Sequence, residues 1–361
     1  MKVLHLSSET TWRGGEQQIA YLIKESLMAG VDIHVLARAE SPFVEWCQSE
    51  KVAHDTSSYG LFSFQDLVRT VADFKPDLIH IHSSKSHGLV ARASIATGLD
   101  VPLIVSRRVD FPLKKNPFSR FKYGLSSIKK FICVSEAIEA MVREGVSRPE
   151  LACTVRSGID LSRFTAAVNP NELRERYDIS ADEKIIANVS AIAPHKDYFT
   201  FIDTCLRLKE MGLKARYLII GDGPERVAIK QYRDEKGLRN DVIMTGFIDD
   251  IPQVLPSIDV FLISSKTEGL GTTILDAFAC EVPVVATAAG GIPESVIHER
   301  TGLLCPVGDS ASLAKAVMRI CDNDALGAQL AQGAKTHVLS CSKEEMAAKT
   351  LAIYNEVLGL K

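Results

Sequence analysis

Short apolar runs alternate along the chain with stretches in which apolar positions recur every three or four residues. In the first half the runs at Lys2–Leu6, Asp32–Leu36, Leu78–His82, Pro102–Ser106 and Lys130–Val134 predict strands. The periodic stretches Glu16–Met28, Phe64–Asp73 and Ser86–Thr97 predict helices, and Glu136–Glu144 begins another. The second half repeats the theme. Its predicted strands are Lys184–Val189, Arg216–Ile220, Val242–Thr245, Val260–Ile263 and Val282–Ala286, and its predicted helices are Tyr198–Glu210, Pro224–Glu235, Thr273–Ala279 and Ala311–Ile320. Strands that are apolar on both faces and alternate with helices argue for parallel sheets covered on each side. Two such series predict two doubly wound, Rossmann-like α/β domains. The weakly periodic stretch Asp160–Asn171 marks the join, which gives domains 1–165 and 166–342 and a closing segment 343–361. That segment carries the helical pattern Glu344–Leu358, with Met346, Leu351, Ile353, Tyr354 and Val357 as apolar positions.

Composition narrows the class. With 361 residues, 46% hydrophobic and 24% charged, the chain reads as an ordinary globular protein of more than one domain. A net charge of −3 argues against general nucleic-acid binding. The eight cysteines are scattered with no metal-ligand spacing, so they read as reduced thiols. The start Met1–Leu6 reads as a first strand rather than a leader, and no apolar run approaches the ~18 residues that span a bilayer. A cytoplasmic protein is the expectation. Charge is unevenly divided: residues 1–170 hold 21 Lys and Arg against 18 Asp and Glu, whereas the remainder holds 21 against 27. Much of the excess lies between Arg107 and Lys130, where eight cations accompany one acid and four aromatic residues. Arg107, Arg108, Lys114 and Lys115 are the candidates there for an acceptor or membrane face. Such a patch suits a phosphorylated glycan or peripheral contact with anionic lipid on the inner face of the cytoplasmic membrane, and an ordinary solvated loop is the plain alternative.

The chemistry centres on the segment from Ser265 to Asp276. Glu268 falls in a glycine-bearing loop after the strand Val260–Ile263, and Asp276 falls within the helix that follows. Backbone N–H groups at a helix start favour a bound anion, and carboxylates accept hydrogen bonds from sugar hydroxyls. The pairing suits a ligand with phosphate in the middle and hydroxyl-rich groups on both sides, a nucleotide sugar. Three further loops follow strands. Gly14 and Gly15 let backbone approach a ligand closely, Ser190–Asp197 carries Lys196, and Gly221-Asp222-Gly223-Pro224 makes a tight turn. Alternation places His80 and His82 on one face of their strand, with no third ligand in the pattern to suggest a metal.

The segment from Glu268 to Asp276 resembles the Glu-x7-Glu signature of family 4 of the retaining glycosyltransferases, with Asp in place of the second Glu. The likeness extends over nearly the full chain. It implies the GT-B fold, two Rossmann-like doubly wound domains facing across a cleft, with an N-terminal acceptor domain, a C-terminal donor domain and a last helix that crosses back. It implies that Glu268 contacts the transferred sugar, that Asp276 contacts the ribose, and that the Gly269, Leu270, Gly271, Thr272 and Thr273 loop cradles phosphate. Lys196 matches the family's diphosphate lysine, while Ala191 stands where an arginine is usual, so one cation is absent or supplied elsewhere. Gly14 and Gly15 match the glycine loop near the donor phosphate. Ser190, Gly221 and Gly223 match donor-side turns, and Gly246, Phe247 and Ile248 match the segment whose backbone reads the base. His82 matches a histidine beside the reacting sugar.

The resemblance implies a retaining transferase that moves a sugar from a nucleotide-diphosphate donor, UDP-sugar favoured, to a glycan or lipid-linked acceptor in lipopolysaccharide or other bacterial envelope glycan synthesis. His82, Glu268 and Lys196 are the expected catalytic residues, and no metal or other cofactor is expected. A nucleotide-sugar epimerase and a non-catalytic nucleotide-sugar binding protein of the same fold are the alternatives.

Overall fold

The computed structural model describes residues 1–113, 116–165 and 169–360. It divides into two compact units, one formed by Met1–Gly158 with the C-terminal segment from Lys343, the other by Ile159–Ser342. The chain leaves the first unit after Gly158 rather than after residue 165.

The first unit is built on seven strands: β1 (Lys2–Ser7), β2 (Asp32–Arg38), β3 (His54–Ser57), β4 (Leu78–Ile81), β5 (Leu103–Arg107), β6 (Ile128–Cys133) and β7 (Ala152–Thr154). All pairs are parallel, in the order β3-β2-β1-β4-β5-β6-β7. The second unit has six: β8 (Lys184–Val189), β9 (Ala215–Ile220), β10 (Val242–Gly246), β11 (Val260–Ile263), β12 (Val284–Thr287) and β13 (Leu303–Cys305). These are also parallel, in the order β10-β9-β8-β11-β12-β13. Each sheet therefore reverses its winding beside its first strand, between β1 and β4 and between β8 and β11. In an open α/β sheet the loops at the carboxyl ends of such a strand pair splay apart and leave a crevice for ligand.

Apolar burial accounts for both layers. In the first unit Val3, Ile33, Val35 and Leu78 pack with Ile19 and Leu22 of the helix Gly14–Met28. Met346, Ala347 and Tyr354 of the last helix, Lys343–Leu358, join the same core. In the second unit Ile186, Tyr217, Leu262 and Val285 of the sheet meet Phe201 and Leu208 on one helix and Leu313 and Val317 on another.

Three strands escape the sequence reading. β3 has the polar sequence His-Asp-Thr-Ser, and β7 and β13 are each three residues long. Helices Pro42–Ser49, Pro117–Gly124 and Asp324–Val338 were likewise not expected. The second of these corrects the reading of the basic stretch as a loop. Asn116 accepts a hydrogen bond from the Ser119 amide at 2.8 Å and Pro117 opens the first turn, so a helix starts in the middle of the cationic run.

Candidate functional site

In the second unit the loops after β8 and β11 meet at the point where the sheet reverses. Lys196 leaves β8 through the short turn Pro194–Lys196, and Glu268 follows β11. The Lys196 ammonium donates to Glu268 Oε1, and Ser265 Oγ donates to the same oxygen at 3.1 Å. Glu268 is 9% exposed, so this is a largely desolvated ion pair. The loops are also joined by backbone and side-chain bonds. The Lys266 amide donates to the His195 carbonyl at 2.8 Å, Ser264 Oγ donates to the Asp197 carbonyl at 2.9 Å, and Lys266 Nζ lies 3.1 Å from Asp197 Oδ1. A third loop closes on them where the Gly291 amide donates to the Glu268 carbonyl at 3.0 Å. Two of the sequence candidates thus converge as one charged couple.

Gly269 and Leu270 lead to the left-handed Gly271 (φ +76°), which caps the helix Thr272–Ala279. The first amides of that helix, beginning with Thr272 and Thr273, lie at its free N-terminal end, where anions are favoured. Asp276, one turn further along the same helix, is half-buried. Burial pushes its carboxyl up to about 7, against a smaller opposing pull from Arg163. Arg163 sits in the stretch that carried no periodic signal, so the charge that Asp276 feels was not legible.

The turn Gly221-Asp222-Gly223 is packed against the loop after β8. A Cβ on Gly221 (φ +142°) would lie 2.1 Å from the Ser190 carbonyl oxygen, and one on Gly223 would lie 2.4 Å from that of Ile192. The glycines are therefore required by the neighbouring loop itself. Ser190, a donor-binding candidate, spends its hydroxyl on Asn188 Oδ1 (3.0 Å) and Tyr198 Oη (2.9 Å), which fixes the loop that carries Lys196. The Gly221 amide donates to the Gly246 carbonyl at 2.9 Å and so joins the next strand end. Beyond it Phe247 projects into solvent, 73% exposed, while Ile248 is buried.

In the first unit Gly14 and Gly15 form the first turn of a helix rather than a loop before it, and no atom would crowd a side chain at Gly15. His82, just past β4, stacks on His5 of β1 with ring centroids 5.1 Å apart, and His80 lies 4.0 Å from His82 by the same measure. Parallel pairing of His5 with His80 supplies the third ring that the local pattern lacked. Hydrogen bonds hold the rings in two separate groups, His80 in one and His82 with His5 in the other. His80 Nδ1 meets Tyr354 Oη at 2.5 Å and its Nε2 meets Ser106 Oγ at 2.8 Å. Arg108 Nη1 approaches His82 Nδ1 at 3.4 Å, and His82 Nε2 meets His5 Nδ1 at 2.8 Å. A guanidinium only donates, so His82 carries its proton on Nε2 and gives it to His5 Nδ1. Burial is the main cause that holds all three imidazoles neutral, with His5 down to about 3. Both nitrogens of His82 are thus engaged inside this unit, and a sugar hydroxyl would have to displace one of these partners to reach a ring nitrogen.

Of the acceptor or membrane-face candidates, Arg108 reaches His82. Burial lowers its guanidinium to about 10, and the charge of Glu16 opposes that shift. Arg107 donates to the Phe111 carbonyl. Lys114 and Lys115 lie outside the described residues. All eight cysteines are free thiols, and among the described residues no helix is long and apolar enough to cross a membrane.

The two halves of the chain match two related families. Glycosyl transferases group 1 match residues 169–337, and Glycosyltransferase Family 4 matches residues 12–163. Among curated proteins, the chain is 27% identical to N-acetyl-alpha-D-glucosaminyl L-malate synthase of Bacillus anthracis, over 78% of this chain and 75% of that one. It is 24% identical to the UDP-Gal:alpha-D-GlcNAc-diphosphoundecaprenol alpha-1,3-galactosyltransferase of Escherichia coli, over 82% and 81%. Among solved structures, Anabaena HepE in complex with UDP and glucose superposes with a TM-score of 0.85 at 22% identity, covering 99% of this chain and all of that one.

Proposed function

The chain belongs to glycosyltransferase family 4 and has the GT-B fold, and on that premise we propose that it moves a sugar from a uridine diphosphate donor to a glycan or lipid-linked acceptor of a bacterial envelope, with retention of anomeric configuration. That it is a glycosyltransferase follows from the family. Donor, acceptor and stereochemistry are the proposed part.

The observation that carries the reading is the Lys196–Glu268 couple at the sheet's switch point. When donor enters, Lys196 turns from Glu268 to the diphosphate, and the amides of Thr272 and Thr273 face the same anion. Negative charge that develops on the leaving diphosphate is met by groups already in place. Glu268, released from the lysine, accepts from hydroxyls of the sugar as it becomes oxocarbenium-like. Asp276 holds the ribose, and the backbone of Gly246–Ile248 reads the base beside the exposed Phe247 ring. Lysine and amide dipoles do the electrostatic work, so the reading invokes no metal. The first unit binds the acceptor, and within it His82 is held by Arg108 and His5.

Relatives support the finer choices. Anabaena HepE is seen with UDP and with UDP-glucose, and the Escherichia coli relative is named for a UDP-Gal donor and a diphosphoundecaprenol acceptor. A thermal-shift panel of UDP-, GDP- and ADP-sugars tests the donor. Ligand at about a hundredfold its Kd stabilises the native state by about 2.7 kcal/mol, which raises the midpoint by a few degrees. A shift with UDP-sugars is expected, and a shift confined to GDP- or ADP-sugars would overturn the uridine assignment. The anomeric proton coupling of the first product formed tests retention.

A further inference from the structure

On the first unit a group of large apolar side chains stands in solvent. Leu61 and Phe62 are 69% and 70% exposed, Ile95 is 64%, and Phe118 and Phe121 are 45% and 42%. They are linked through the helix Ser84–Thr97. Phe118 and Phe121 are three residues apart on the helix Pro117–Gly124, so they share a face. On the helix Ser84–Thr97, spacing places Lys85, Gly88, Arg92 and Ile95 on one stripe. The bare backbone of Gly88 admits both neighbours: a Cβ there would lie 3.6 Å from Arg92 Nη1 and 3.8 Å from the Phe118 ring. Arg92 Nη2 in turn reaches the Gly60 carbonyl at 3.4 Å, immediately before Leu61.

The apolar tip is held in place rather than frayed. Ser63 Oγ accepts from the Gly60 amide and meets Ser58 Oγ, both at 2.9 Å, which fixes the turn that presents Leu61 and Phe62. Lys122 Nζ clamps the helix Pro117–Gly124 to Ser84 Oγ at 3.1 Å. Around the apolar group stand Lys85, Arg92 and Arg120, and neither helix contains an acid.

We propose that this face docks on an anionic lipid surface, with Leu61 and Phe62 entering the acyl boundary and Lys85, Arg92 and Arg120 meeting head-group phosphates. Contiguous exposed apolar surface calls for a covering partner. Its basic rim selects an anionic one, because symmetric pairing with a second copy would bring rims of the same sign together. Apolar insertion combined with basic contacts is the composition that holds a protein at an interface without spanning it. The surface extends the lipid-linked-acceptor reading, but vesicle binding is measured without any substrate, so the two can fail separately.

The experiment is flotation of the full chain with vesicles of phosphatidylcholine alone and of phosphatidylcholine mixed with phosphatidylglycerol. Flotation only with the anionic vesicles, weakened by added salt, is expected. The Leu61→Ser/Phe62→Ser double variant should lose partitioning by about tenfold or more, and Arg120→Glu should lose it as well. Both should keep the wild-type circular dichroism, melting midpoint and UDP affinity, because the altered side chains stand in solvent. The proposal is overturned if wild type does not float with anionic vesicles, or if the double variant floats like wild type. It is also overturned if sedimentation velocity shows a dimer that the double variant dissolves while no flotation occurs.

Discussion

Replacing Glu268 with Gln separates the two tasks assigned to the couple at β8 and β11. In the free protein Lys196 is held by a carboxylate that is 9% exposed, with its own side chain 15% exposed. Two unit charges about 4 Å apart attract by ~4 kcal/mol at an effective dielectric constant near 20. A diphosphate that captures the lysine regains most of that, yet it must still displace Glu268 and then lie beside a second anion. The glutamine keeps the size and the Ser265 contact but removes the competing charge. A net gain of ~1 kcal/mol for UDP alone is a fair residue of the gross term, which corresponds to roughly fivefold tighter binding. The sugar moves the other way. Its hydroxyls lose a charged acceptor worth ~1.5–3 kcal/mol, so the ratio of UDP-glucose to UDP affinity should fall by roughly tenfold or more. Isothermal titration of both ligands into wild type and Glu268→Gln reads these numbers side by side. Weaker UDP binding with an unchanged UDP-glucose to UDP ratio would refute the reasoning, since the carboxylate would then serve the nucleotide and not the sugar.

Lys196→Met should weaken UDP by roughly tenfold to a hundredfold, the range of a charge-assisted hydrogen bond, and lower the melting midpoint by leaving Glu268 unpaired; titration and calorimetry check both. Asp276 has its carboxyl raised from 3.8 to about 7, so the proton it carries stabilises the fold fully below about pH 4 and that contribution is lost as pH rises through 7. Asp276→Asn should therefore match wild type in stability near pH 4 and exceed it above pH 7 by on the order of a few kcal/mol at most, while binding UDP more weakly; parallel urea melts across that window decide it. Tyr354→Phe removes the partner of His80 Nδ1 in a fully buried site and should cost about 1–3 kcal/mol of stability, read from the urea midpoint.

The interior of both sheets was readable because β8 and β11 are buried on both faces and, apart from Lys184 and Asn188, apolar. The edges were not. β3 is polar, and β7 and β13 are too short for any period to register. The loops that hold Lys196 and Glu268 announced themselves by following strands, but their pairing across 72 residues depends on β8 lying beside β11, which only the reversal of strand order produces. His5 was invisible as a partner of His80 and His82 for the same reason, since register between β1 and β4 brings it there. The contact of Arg108 was not legible because adjacent cations look alike in a sequence. Arg107 turns to the Phe111 carbonyl whereas Arg108 turns to a buried histidine, and composition carries no sign of that difference. Tyr354 shows the reverse case: its place in an apolar stripe was legible, and its hydrogen bond to a ring 274 residues away was not.

The most direct test of the central claim is a crystal structure of the protein with UDP-glucose. The account predicts the diphosphate within hydrogen-bonding distance of Lys196 Nζ and the Thr272 and Thr273 amides, with a glucose hydroxyl on Glu268 and the ribose on Asp276. A donor bound with Lys196 still paired to Glu268, or with its phosphates away from the loops after β8 and β11, would contradict it.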